Sequence, residues 1–205
     1  MKAQSLGHFL DRLASSDPTP GGGTAAAVAG AMAAGLLAMV SRLSIGKGGD
    51  DASLSRTLET MEAARAELMD LAIRDAEAFD AVMRAMRLPR ATGEEKRSRQ
   101  RAVQEALKEA ADLPLAVAVQ ALSVLEAAPA LATSGNPNAA SDVGVGALLA
   151  HGAVHGALLN VRINLGALKD ESYRVMATDR MHALAREADR LKDLALAAVS
   201  DRMAR

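Results

Sequence analysis

The sequence contains no cysteine and no tryptophan, and its only aromatic residues are Phe9, Phe79 and Tyr173. Without cysteine there is no disulfide framework, no thiolate nucleophile and no thiolate metal site, a composition suited to a reducing cytoplasm. With so few aromatics the core must be built from Ala, Leu, Val and Met, which mostly favour helix and disfavour a β-sandwich or barrel. Nor is there an excess of one charge. The 24 Lys and Arg against 25 Asp and Glu leave a formal net charge of -1, so electrostatics give no reason to expect nucleic acid or an anionic membrane. Residues 1–5 lack the apolar stretch of a signal peptide. The most apolar uncharged run, residues 25–40, falls short of the ~20 residues a membrane span needs and is mostly Ala and Gly, so a buried helix is predicted there. A cytoplasmic protein with no membrane or nucleic-acid partner is the expectation.

What is present is helical periodicity. The chain has 205 residues, 50% of them hydrophobic, enough for one domain over residues 1–205 with a sizeable core. Leu6, Phe9, Leu10 and Leu13 follow the i, i+3, i+4, i+7 pattern after Ser5, a good N-cap, and Pro18 and Pro20 end that first helix. An Ala/Gly-rich helix is predicted from Thr24 to about Leu43, apolar on every side and therefore central to a bundle. A long helix follows Gly46, Gly48 and Gly49 and closes before Pro89. Thr92 and Glu95 have the spacing of a capping box, so a further helix starts there and runs to about Ala111, with Pro114 kinking or restarting it. A long apolar helix from about Ala139 to Lys169 and a charged amphipathic one from about Thr178 to Met203 complete an all-α bundle with long central apolar helices. No strand-like alternation or internal repeat stands out, and the charge run at residues 94–101 reads as a solvated helix face.

Polar residues out of place mark the candidate chemistry. Two interruptions, residues 18–24 and 135–142, concentrate Gly, Pro and Asn. The run Gly21-Gly22-Gly23-Thr24 before a helix either presents backbone N–H groups to an anion or is a bare turn; it is not a P-loop, because no Gly-Lys-Ser/Thr ending follows. Asp75 falls on the apolar stripe of the third helix, whereas Glu77 and Asp80 lie off it. A buried carboxylate needs a cation or a ligand, so either an arginine of another helix, with Arg162 the candidate, or a site role is expected. Asn136, Asn138, Ser141 and Asp142 gather donors and acceptors in front of an apolar helix, as in a ligand pocket, although a carboxylate in a first turn also serves simply to offset the helix dipole. His151 and His155 stand four apart, the spacing of a zinc pair. They lack the Glu of His-Glu-x-x-His and any evident third ligand, so packed or hydrogen-bonded core histidines are expected and no metal. Asp142 and Asn164 are 22 residues apart, about 33 Å in a continuous helix. One small ligand cannot touch both: the helix breaks, the ligand is elongated, or a second subunit completes the site.

The stretch over residues 9–47, with Ser16-Asp17-Pro18-Thr19-Pro20-Gly21-Gly22-Gly23-Thr24 and Ser44-Ile45-Gly46-Lys47, resembles the cyclodeaminase/cyclohydrolase family of folate enzymes. Three more blocks agree: Asp75-Ala76-Glu77-Ala78-Phe79 with Leu88-Pro89, Gly135-Asn136-Pro137-Asn138-Ala139-Ala140-Ser141-Asp142, and Leu159-Asn160-Val161-Arg162-Ile163-Asn164-Leu165. The resemblance implies an all-α homodimer acting on a tetrahydrofolate derivative, as formiminotetrahydrofolate cyclodeaminase or methenyltetrahydrofolate cyclohydrolase, with no cofactor beyond that substrate. It implies acid/base roles for Asp75 and Asp142. Gly21, Gly22 and Gly23 would line the substrate, Asn136, Asn138 and Asn164 would bond the pterin or amide groups, and Lys47 and Arg162 would hold the anionic tail. Arg90 stands after Leu88-Pro89 where the family pattern has lysine, and Gly48-Gly49-Asp50-Asp51 replaces a more basic stretch. The missing lysine after Pro89 favours the alternative, a non-catalytic folate-binding or assembly module.

Overall fold

The computed structural model describes residues 5–204; residues 1–4, part of the segment read as lacking a signal sequence, and residue 205 lie outside the described residues. The protein is all-α, with no strand among the described residues. Six helices follow in order: α1 (Leu6–Leu13), α2 (Gly22–Ser44), α3 (Asp51–Met86), α4 (Gly93–Ser134), α5 (Ala140–Leu165) and α6 (Glu171–Met203), with one 3-10 turn (Pro137–Ala139) before α5.

The caps follow from the sequence. Ser5 accepts from the His8 N–H, Asp50 from Ser53 and Asp170 from Tyr173, and Thr92 with Glu95 forms the reciprocal capping box. Between α2 and α3, Gly46 and Gly48 have φ of 75° and 88°, the left-handed conformation glycine adopts without penalty.

α2 and α5 form an antiparallel central pair. Gly30 lies against Ala153, Gly146 against Leu37, and Gly156 against Ala26, so the absence of side chains on one helix lets the other come close. α3 flanks α2, α6 flanks α5, and α4 packs against all four. The core is continuous, with Leu37, Met61, Leu68, Val117, Leu125 and Val154 among its fully buried side chains.

Three expectations need correction. Pro114 does not restart a helix: α4 runs as one helix of 42 residues through Pro114 and Pro129. A proline at 114 cannot donate to the carbonyl of Ala110, and the side chain of Asn164 on α5 supplies the missing donor, Nδ2 to Ala110 O at 2.6 Å. α6 begins at Glu171, about two turns before the expected start, because Asp170 caps it and Tyr173 is buried there. The uncharged run at 25–40 sits inside a helix of 23 residues, and α2, α4 and the segment Pro137–Leu165 are each long and apolar enough to cross a membrane by length and composition. Most of the apolar part of α2 is buried against its neighbours in the bundle.

Candidate active site

Asp75 is the centre of one polar cluster. It sits in α3 opposite the first turn of α2, where the Thr24 hydroxyl donates to its Oδ2 at 2.8 Å. The Thr24 backbone N–H donates as well. Burial raises the Asp75 carboxyl above the ordinary aspartate range, and the two Thr24 hydrogen bonds oppose that rise. No arginine or lysine pairs with Asp75 among the described residues, so the ion pair expected for a buried carboxylate is absent. A half-buried carboxyl without a partner cation, its pKa raised by burial, is suited to general acid/base work.

The glycine run has a corresponding explanation. Gly21 is the N-cap of α2 and supplies no side-chain cap, so the first-turn N–H groups are left for another acceptor. Asp75 is the anion that the open N-terminus of α2 faces, and the Thr24 hydroxyl of that first turn bonds it. A Cβ on Gly23 would collide with the Asp75 carboxylate, so only glycine lets carboxylate and helix end approach. Gly22 lies beside the side-chain amide of Asn160, whose Nδ2 donates to Gly156 O at 2.9 Å. Thr24 also lines a cleft of about 200 Å³ with Phe9, Arg12, Pro20, Ala72, Ile73, Ala76, Glu77 and Asp80. Sequence reasoning missed Thr24 and Asn160 as members of the cluster. Both stood inside the quoted motifs, yet nothing in linear spacing says which of their neighbours face α3.

The second cluster is at the other end of α2. Ser44, buried at the last turn, accepts the Asn136 N–H at 2.7 Å, and Asn136 Nδ2 donates to Leu43 O at 3.3 Å. Asn136 Oδ1 accepts the Asn138 N–H at 3.0 Å, so both ends of this amide hold the turn together. Arg202 of α6 donates to Gly135 O at 2.9 Å and clamps the same turn. Asn138 is exposed and Asp142, half-buried, lies in the first turn of α5; neither side chain is hydrogen-bonded among the described residues. Lys47 is exposed in the glycine loop beside them.

The remaining expectations separate from both clusters. Arg162 is not the cation of Asp75: it is exposed and lines a groove between α5 and α6 with His155, Leu158, Leu159, Met181 and His182. Asn164 is committed to Ala110 of α4 and serves the proline in that helix. α5 does not break between Asp142 and Asn164. Asp75 and Asp142 are therefore held at opposite ends of the α2–α5 pair, separated by about 30 Å of α2, the rise from Thr24 to Ser44.

This arrangement of two helix-end clusters on an all-α bundle can be set beside known proteins. The formiminotransferase-cyclodeaminase family matches residues 5–183. The chain belongs to this family. Among members of the formiminotransferase-cyclodeaminase family, a methenyltetrahydrofolate cyclohydrolase of Methylorubrum extorquens is 43% identical over 193 residues, covering 93% of each chain. The formimidoyltransferase-cyclodeaminase of Sus scrofa is 37% identical over 193 residues, and the chain spans 36% of the length of that protein. The crystal structure of formiminotetrahydrofolate cyclodeaminase from Thermotoga maritima superposes with a TM-score of 0.87 at 33% identity, covering 98% of both chains.

Proposed function

We propose that this chain, folded as one domain, is a cytoplasmic folate one-carbon enzyme acting at the carbon that bridges N5 and N10 of tetrahydrofolate. The observation that carries the proposal is Asp75, a carboxyl with its pKa raised by burial, unpaired by a cation among the described residues and facing the N-terminus of α2. The methenyl substrate is a delocalised amidinium cation, and a carboxylate shielded from water is its natural counter-charge. In hydrolysis, water adds to the bridging carbon while Asp75 accepts its proton; the tetrahedral adduct then loses its bond to N5, which takes up a proton. In cyclodeamination, N10 attacks the formimino carbon and ammonia departs after protonation by the same group. Gly23 borders this carboxyl and Gly22 lies beside the Asn160 amide, so the N-terminus of α2, with Gly21 as its cap, and Asn160 orient the substrate there. Neither direction requires a cofactor beyond the folate or a metal.

The identity to the Methylorubrum cyclohydrolase over nearly the whole chain favours hydrolysis of the methenyl form. The fold shared with the Thermotoga cyclodeaminase favours the second reading, loss of ammonia from the formimino form. Following the methenyl chromophore with each substrate while assaying ammonia decides between them. Purified protein that turns over neither but binds folate by titration would instead support the non-catalytic module.

The working unit in this proposal is a homodimer. On the face away from α4, Met32 and Met39 of α2 and Leu148 and Leu159 of α5 are 54%, 36%, 51% and 63% exposed, an apolar strip along the central pair. A two-fold axis lying in that face and perpendicular to the helices sets each α2 against its copy in reverse. The Asp75 end of one protomer then meets the Lys47, Asn138 and Asp142 end of the other, giving a site with two carboxylates and a cation for the anionic tail. Burying this strip against a second copy, and the rest of α2 inside the bundle, accounts for its long apolar helices without a membrane or a nucleic acid as partner.

A further inference from the structure

The third ligand that the sequence does not reveal for His151 and His155 is Asp189 of α6. Both imidazoles, on successive turns of α5, direct Nε2 at the same carboxylate oxygen, Oδ1 of Asp189, at 2.7 Å and 3.0 Å. The ring centroids are 4.5 Å apart, and one ligand atom from each of the three residues lies within 4.8 Å of the other two. Side-chain exposures of 24%, 39% and 56% leave the cluster bordered by protein on one side and open to water on the other. The hydrogen bond from His151, followed by the influence of His155, lowers the Asp189 carboxyl below the ordinary range and keeps it in the anionic, ligating form.

We infer that His151, His155 and Asp189 form a binding site for a divalent first-row transition ion of the zinc type, which ties α6 to α5. Two imidazole nitrogens and one carboxylate oxygen are a recurrent donor set for such ions, with water taking the remaining position. Ligand atoms held about 2.0–2.2 Å from a tetrahedral ion lie roughly 3.3 Å from one another. The present Nε2–Oδ1 separations reach that value through small side-chain rotations. In the bound state each Nε2 presents its lone pair to the ion, and the ring N–H is carried on Nδ1. His155 is five residues from Asn160, about 7.5 Å along α5, so the ion is outside contact with the Asp75 cluster. Its role is to brace the helix that carries Asn160 against α6, and it stands or falls independently of the folate reaction.

The test is titration of chelator-treated full-length protein with Zn2+ by calorimetry, with Co2+ absorption as a geometric readout and no folate present. The expected result is one ion per chain, a thermal midpoint that rises with Zn2+ concentration, and intense visible Co2+ bands of a four-coordinate site. D189N weakens Zn2+ binding at least tenfold, the double variant H151Q/H155Q abolishes it, and H182Q, which alters an exposed histidine outside the cluster, leaves it unchanged. Absence of saturable binding overturns the inference, as does equal binding by wild type and D189N, which would assign the ion to scattered surface histidines. Should the double variant lose its helical circular dichroism, D189N and H155Q taken singly decide the matter.

Discussion

The Thr24 hydroxyl donates to the Asp75 carboxylate at 2.8 Å across the contact between the start of α2 and the last third of α3. This bond ties the glycine-rich interruption to the carboxyl on the apolar stripe, and it opposes the rise in pKa that burial causes there.

Removing the carboxylate should abolish turnover without unfolding the chain. D75N is isosteric and keeps an acceptor for Thr24, so a loss of about 10²–10⁴-fold in kcat with an unchanged helical spectrum is expected. A variant that unfolds outright, and whose turnover is not recovered in any folded fraction, would instead make Asp75 a packing residue.

The pH profile should respond to Thr24. Its hydrogen bonds lower the Asp75 pKa against the larger rise caused by burial, so T24V moves the corresponding limb of the kcat/KM profile to higher pH whichever protonation state turnover uses. The stability linkage has a definite sign. Because the folded pKa is raised, the contribution of Asp75 to stability is fully present below the unfolded aspartate value and is lost as pH rises through the folded value. D75N therefore gains stability relative to wild type at neutral pH and not in acid, which paired denaturation curves at the two pH values measure.

G23A tests the close approach. The added methyl must displace the Asp75 carboxylate and with it the Thr24 bond. About 1–3 kcal/mol of destabilisation is expected, together with a loss of activity close to that of D75N. Activity at the wild-type level would show that the carboxylate position is unimportant.

Asn164 should behave as a structural residue. N164A leaves the Ala110 carbonyl without a donor beside Pro114 and is expected to cost about 1–3 kcal/mol, with kcat and KM nearly unchanged. In that background P114A restores the backbone N–H at position 114, so the double variant should recover part of the loss in a thermal-denaturation cycle. A large rise in KM for N164A would return this residue to the substrate.

A site shared between subunits predicts complementation. Mixing inactive D75N and D142N protomers and allowing exchange yields heterodimers in which one of two sites is intact, so about a quarter of wild-type activity should reappear at a 1:1 ratio. L148E, placed on the apolar strip, should give monomers by sedimentation and lose activity in parallel. Mixtures that remain inactive would confine the reaction to a single chain.

The sequence by itself determined the all-α class, because Ala, Leu and Met with almost no aromatics and clear 3.6-residue periodicity leave little else. It also marked the caps at Ser5 and Thr92, the helix-ending prolines, and Asp75 as an anomaly on an apolar stripe, all of which depend on neighbours within a turn or two. Tertiary structure alone decided what each polar residue faces. Pro114 reads locally as a helix breaker, and only the arrival of Asn164 from another helix, 54 residues beyond Ala110, satisfies the freed Ala110 carbonyl. Asp189 lies 38 residues beyond His151 and is no different in spacing from other surface carboxylates until α6 lies along α5. Asp75 and Asp142 both stand out in the sequence, yet their separation by the length of α2 follows from the antiparallel packing of α2 against α5. Periodicity fixes which face a side chain occupies; only the packing of one helix on another fixes what that face meets.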